Sequence, residues 1–133
     1  MTKPDAIYSA NTGAQKLIGY EAHIFEDRCE VRLTLNETHM NRAGKLHGGL
    51  VSTILDAACG YAASRAFHPK ADTLVVTLSL TANYLAPGIG PEIVAIGRVR
   101  RAGRSIIFVD GEVLDGDTLI ATGTGTFKKV TKR

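Results

Sequence analysis

Asp56 is the residue of this chain best placed to do chemistry. It lies in a run from His47 to Phe67 (HGGLVSTILDAACGYAASRAF) whose other members are mostly apolar or small. Ser52, Thr53, Cys59 and Gly60, three and four positions away, include no basic residue, so nothing at helical spacing pairs with the carboxylate. A carboxylate in apolar surroundings is costly unless a partner meets it or its pKa rises. Three arrangements satisfy that requirement. A loop or a partner chain supplies an arginine, the face is open to water, or Asp56 is a general base or nucleophile held in a low-dielectric pocket.

His47-Gly48-Gly49 opens the same run. The first N–H groups of a helix have no acceptor within it, and the dipole there favours negative charge. Two glycines let a ligand approach that backbone closely. Such donors suit an oxyanion, because they stabilise charge appearing on a carbonyl oxygen. The tripeptide alone reads equally well as a flexible helix entry with a solvated histidine.

Spacing joins the two features. Gly48 and Asp56 are separated by eight helical steps, or about 12 Å along the axis. A reacting carbonyl must sit within about 3 Å of its donor and of its attacking group, or one water further. One helix does not easily serve one carbonyl in both ways. Two copies running antiparallel do, with Gly48 of one chain opposite Asp56 of the other. The expected active unit is therefore a dimer with two shared sites.

The elements that must hold these groups follow from patterning. Alanine, leucine and the lack of proline favour a helix from His47 to Phe67, and Pro69 ends it. Apolar residues on several faces predict that it is buried. Before it, Ala14 to Ile18 reads as a short helix, Tyr20 to Glu26 and Cys29 to Leu35 as short strands, and Asn36 to Lys45 as a polar loop. After it, Thr73 to Tyr84 alternates with a period of two, which leaves an odd, hydroxyl-rich face for water or for packing in an oligomer. Glu92 to Arg101, Ser105 to Leu114 and Thr118 to Lys128 read as further strands, with turns at Ala102-Gly103-Arg104 and Asp115-Gly116-Asp117. The expected class is α+β: one long central helix wrapped on both sides by a curved antiparallel sheet of five to six strands.

The chain has 133 residues, 44% hydrophobic and 22% charged, the balance of a single globular domain. Residues 1–18 form an N-terminal segment and 129–133 a basic tail. A net charge of +3 is too small to require nucleic acid but suits an anionic small molecule. No run of about 18 apolar residues predicts a membrane span, and the N-terminus lacks the apolar core of a signal peptide. Cys29 and Cys59 read as free thiols in a reducing cytoplasm.

Asn41-x-x-Gly44-x-x-His47-Gly48-Gly49 followed by Leu55-Asp56 resembles the hotdog-fold thioesterases of the phenylacetyl-CoA (PaaI-like) group, and Tyr84-Leu85-Ala86-Pro87 looks like that family too. The likeness runs from about Gly19 to Lys128. It implies hydrolysis of an acyl-CoA thioester to free acid and CoA, with no cofactor, since CoA is part of the substrate. By the same resemblance, Gly48 N–H polarises the carbonyl while Asp56 of the partner chain activates water or attacks. Asn41 and His47 position the carbonyl or the water, Gly49 belongs to the substrate-binding turn, and Thr77 holds the water. A dimer of dimers is the assembly the family implies. Arg98, Arg100, Arg101 and Arg104 crowd one turn, and Arg101 and Arg104 suit CoA phosphates; a solvated edge that discourages strand pairing is the other reading.

Other functions fit less of the sequence. His23, His39, His47 and His68 lack metal-ligand spacings, so no metal site is expected. Cys59 reads as a small core residue rather than a nucleophile. A hotdog dehydratase would need His47 and Asp56 as a proton-moving pair. A non-catalytic module that binds acyl-CoA or an acyl carrier would have little need of Asp56.

Overall fold

The computed structural model describes residues 3–131. Strand β1 (Ala6–Ser9), helix α1 (Gly13–Ile18), and strands β2 (Glu21–Ile24) and β3 (Cys29–Thr34) precede a single 3-10 turn at Glu37–His39. The long helix α2 (Gly48–Arg65) follows, then β4 (Val75–Tyr84), β5 (Glu92–Ala102), β6 (Ile106–Asp115) and β7 (Thr118–Lys129). All seven strands form one antiparallel sheet in the order β1-β2-β3-β5-β6-β7-β4. Expectation and structure agree on the class and on the central helix. They differ by one strand, because the four residues of β1 are too few to show an alternating pattern. Lys129, assigned to the tail, belongs to β7, and residues 132–133 of that tail lie outside the described ones. No helix of the described residues is long and apolar enough to cross a membrane.

Helix α2 lies against the sheet in a trough cut by glycine. Gly97, Gly111 and Gly123 stand side by side on β5, β6 and β7. A Cβ at Gly97 would come within 2.5 Å of the Ala58 carbonyl oxygen, and one at Gly111 within 2.6 Å of Leu55 Cδ1. The missing side chains set how closely the helix backbone approaches. Ile54, Leu55, Ala58 and Cys59 then pack on Val31, Ile93, Ala95 and Val109 in the core. The opposite side of the helix, with Ser52, Thr53, Asp56, Ala57 and Gly60, is only half covered. The expectation of a helix buried on both sides is corrected here: seven short and long strands curve round one face and leave the other open in a single chain.

Strand β4 departs from its plain alternation. Thr77 pairs with Phe127, but Ser79 pairs with Thr126, so Leu78 is an extra residue in a β-bulge. The bulge shifts the inward positions from odd to even along the strand. Val75 and Thr77 face the helix before it, and Leu80 and Ala82 pack toward the core after it. Leu74, Val76 and Leu78 are left exposed, at 61%, 48% and 54%. Because β4 is the last strand of the sheet, its free edge lies beside them.

Candidate active site

The site is built from the N-terminal turn of α2 and from its middle. At the N-terminal end, His47 is the cap residue and its Nδ1 accepts a hydrogen bond from Gly49 N–H at 2.9 Å. Leu50 and Val51 donate to the His47 carbonyl. Gly48 N–H has no acceptor among the described residues and remains free for a ligand. Gly49 is therefore a support for His47 rather than a second free donor. With Nδ1 accepting, the neutral His47 ring carries its proton on Nε2. Tyr84 reaches the same turn: its hydroxyl donates to the Gly48 carbonyl at 3.0 Å and shares a hydrogen bond with Ser52 Oγ.

The loop before the helix is folded by Asn41. Its Oδ1 accepts from Ala43 N–H at 2.9 Å and from Lys45 N–H at 3.1 Å. Gly44 closes the turn in the left-handed region, at φ 73°. The carbonyl of Asn41 is thus occupied within the loop, and its NH2 group is the part left for a substrate. His39 ties this loop to the body of the chain: its ring meets Asn36 N–H and the Ile18 carbonyl, and its backbone oxygen accepts from His47 N–H.

Two turns along α2, Asp56 faces Thr77. The Thr77 hydroxyl donates to Asp56 Oδ1 at 2.7 Å, and Oδ2 has no partner among the described residues. Among the described residues no arginine reaches the carboxylate. It is half-buried in the single chain, so of the three arrangements the sequence leaves open, an arginine from a loop of the same chain is not the one seen among the described residues. Asp56 and Thr77 line a cavity of about 510 Å³ that runs along the helix past Ala57, Gly60 and Tyr61. Phe127 and Tyr20 complete its apolar wall. Gly48 does not line it.

Several wall residues were not singled out in the sequence. Tyr8, on the unforeseen strand β1, stacks on Tyr61 with ring centroids 5.8 Å apart, and its hydroxyl donates to the Lys70 carbonyl. Gln15 is fully buried and fixes that strand: its amide NH2 donates to the Tyr8 carbonyl, and its Oε1 accepts from Asn11 N–H. The N-terminal segment is therefore part of the cavity. Burial raises the pKa of Tyr20, with a smaller push from Asp56 and an opposing hydrogen bond from Thr12. Burial, with Tyr20 and Tyr8 nearby, pushes Tyr61 up to about 12.

The remaining candidates separate cleanly. Burial pushes the thiols of Cys29 and Cys59 up to about 12, which keeps them protonated and unfit as nucleophiles near neutral pH. Among the described residues, no three His, Cys, Asp or Glu side chains come together as a metal-ligand set. The arginine cluster divides in two. Arg98 pairs with Glu112 and Arg100 with Asp110, whereas Arg101 and Arg104 are exposed near the β5–β6 turn and join no ion pair among the described residues.

Residues 43–122 match the family described as the thioesterase superfamily. A putative esterase of Pseudomonas aeruginosa is 32% identical over 98 residues, which cover 73% of this chain and 72% of that protein. Acyl-coenzyme A thioesterase 13 of Mus musculus is 30% identical over 101 residues, 74% of this chain and 69% of that one. A Bacillus halodurans protein crystallised with CoA is 31% identical with a TM-score of 0.82, over 95% of this chain and 83% of its own.

Proposed function

The chain belongs to the thioesterase superfamily, with its hotdog fold, and is a hydrolase acting on thioesters; from that premise we propose that it cleaves an acyl-CoA thioester to the free acid and CoA in a site completed by a second copy. The observation that carries this reading is Asp56 at the wall of a cavity of mixed polar and apolar lining, held among the described residues only by the Thr77 hydroxyl. The acyl group occupies that cavity. The thioester carbonyl lies at the partner's helix N-terminus, where Gly48 N–H and the Nε2–H of His47 donate to its oxygen. The half-covered face of α2 and the exposed Leu74, Val76 and Leu78 beside the free edge of β4 supply the surface on which the second copy docks.

Thr77 fixes one oxygen of the Asp56 carboxylate, and the other takes a proton from water as that water attacks the carbonyl carbon. The electron pair of the C=O bond moves onto oxygen, where the Gly48 amide stabilises it. Collapse re-forms the carbonyl, breaks the C–S bond and expels the CoA thiolate, which recovers the proton from Asp56. Cationic Arg101 and Arg104 suit the phosphates of CoA, and the CoA in the Bacillus halodurans relative supports that choice of thiol.

Thiol release from phenylacetyl-CoA and octanoyl-CoA tests the reading, comparing wild type with Asp56→Ala. Turnover that depends on Asp56 supports it. Tight binding of either ester with no thiol release would instead make the protein an acyl-CoA binding module. A single turnover quenched before completion assigns the role of Asp56: a trapped acyl group on its carboxylate marks a nucleophile, and product formation with no acylated enzyme at any time marks a general base.

A further inference from the structure

We propose that Tyr84 is a positioning residue that aligns His47 through the Gly48–Gly49 peptide. The inference rests on the reading above, in which the N-terminal turn of α2 grips the thioester carbonyl. Tyr84 is 54% exposed, an unusual place for a ring whose hydroxyl is fully engaged. A phenol has one proton, and the Gly48 carbonyl can only accept, so that proton lies between them. Ser52 must then donate its own hydroxyl proton to the Tyr84 oxygen. The chain of donors runs from Ser52 to Tyr84 to the Gly48 carbonyl.

It continues through the peptide. The carbonyl that Tyr84 holds and the N–H that His47 holds belong to the same Gly48–Gly49 unit. Hydrogen bonding to the oxygen polarises the unit and makes its N–H a stronger donor. That N–H fixes the His47 ring through Nδ1 and leaves Nε2–H as the outward group. The ring of Tyr84 also stands beside Gly48, 3.7 Å from where a Cβ would be, and limits how far the turn can tilt. Tyr84 thus acts on the substrate through His47 rather than by contact.

Tyr84→Phe keeps the ring and removes the relay. On whichever of phenylacetyl-CoA and octanoyl-CoA the wild type hydrolyses, kcat should fall about fivefold, the worth of one net hydrogen bond. KM and Tm should stay unchanged, and Ser52→Ala should cause a smaller loss of the same kind. In 15N spectra of histidine-labelled protein, His47 Nδ1 should move from the shift of an unprotonated acceptor toward the average of two tautomers. Wild-type kcat in Tyr84→Phe with an unchanged His47 spectrum would overturn the relay. So would a loss confined to KM, which would make Tyr84 a substrate contact. If the wild type releases no thiol from either ester, the functional reading falls, and the His47 spectrum alone decides the relay.

Discussion

Thr77 donates its hydroxyl to Asp56 at 2.7 Å from a strand position that unbroken alternation would turn away from the helix. The bulge at Leu78 makes the contact possible by letting Val75 and Thr77 share the inner side with Leu80 and Ala82. The acid is therefore steered by a neutral donor. Among the described residues no cation pairs with it.

Replacing that acid should remove chemistry and spare the fold. Asp56→Asn keeps the shape of the side chain but cannot take up the proton, so kcat should drop by about 10²–10⁴-fold. Thermal unfolding should change little, because the carboxylate is half-buried and joins no ion pair among the described residues. Thiol release and a melting curve on the same sample check both.

Thr77→Val should lower kcat about 10- to 150-fold, since hydrogen bonds to charged groups are worth roughly 1.5–3 kcal/mol. Thr77→Ser, which retains the hydroxyl, should recover most of the rate. Equal rates in the two variants would show that Thr77 contributes only packing.

The glycine trough predicts a stability effect far from the chemistry. Gly97→Ala drives a methyl group into the Ala58 carbonyl and the Cys59 Cα. Neither belongs to a flexible side chain, so the helix has to lift, at a cost of about 1–3 kcal/mol. The urea midpoint should fall accordingly, with an unchanged m-value.

Alkaline pH should weaken the fold. Burial pushes Cys29, Cys59 and Tyr61 from ordinary values of 9.0, 9.0 and 10.0 up to about 12. Each native group holds its proton after the unfolded chain has lost it. The stability they contribute is complete below about pH 9 and disappears as pH rises toward 12. Urea midpoints measured across that interval should decline, and less steeply when both cysteines are replaced by alanine.

Much of this was legible in the sequence, and the gaps have physical causes. The helix over His47 to Phe67 was plain from its alanines and from Pro69, and its observed span, Gly48–Arg65, lies within that range. The spacing of His47, Gly48 and Asp56 put the cap and its first residue at the start of the helix and the acid eight residues further on, which is where the structure has them. The turn of Thr77 toward Asp56 was hidden, because Leu78 continues the apolar–polar rhythm while the backbone breaks step. Tyr8 was hidden as well: β1 is four residues long and gains its order from Gln15 and from pairing with β2, both of which are tertiary. Tyr84 carried a signal only as part of Tyr84-Leu85-Ala86-Pro87; its bonds to Gly48 and Ser52 join positions 36 and 32 residues apart.

A mixing experiment reaches the sharing of the site between copies most directly. Gly48→Pro deletes the amide donor at the first helical position, where proline is tolerated, and His47 at ψ 131° already has the extended backbone that precedes proline. Asp56→Ala deletes the acid. Each protein alone should be inactive. Dissociated and reassociated together in equal amounts, half of the dimers pair one chain of each kind, and each of these restores one of its two sites. About a quarter of wild-type activity should return. If both variants fold and exchange subunits, yet the mixture stays as inactive as its components, Gly48 and Asp56 do not act on one substrate from two chains.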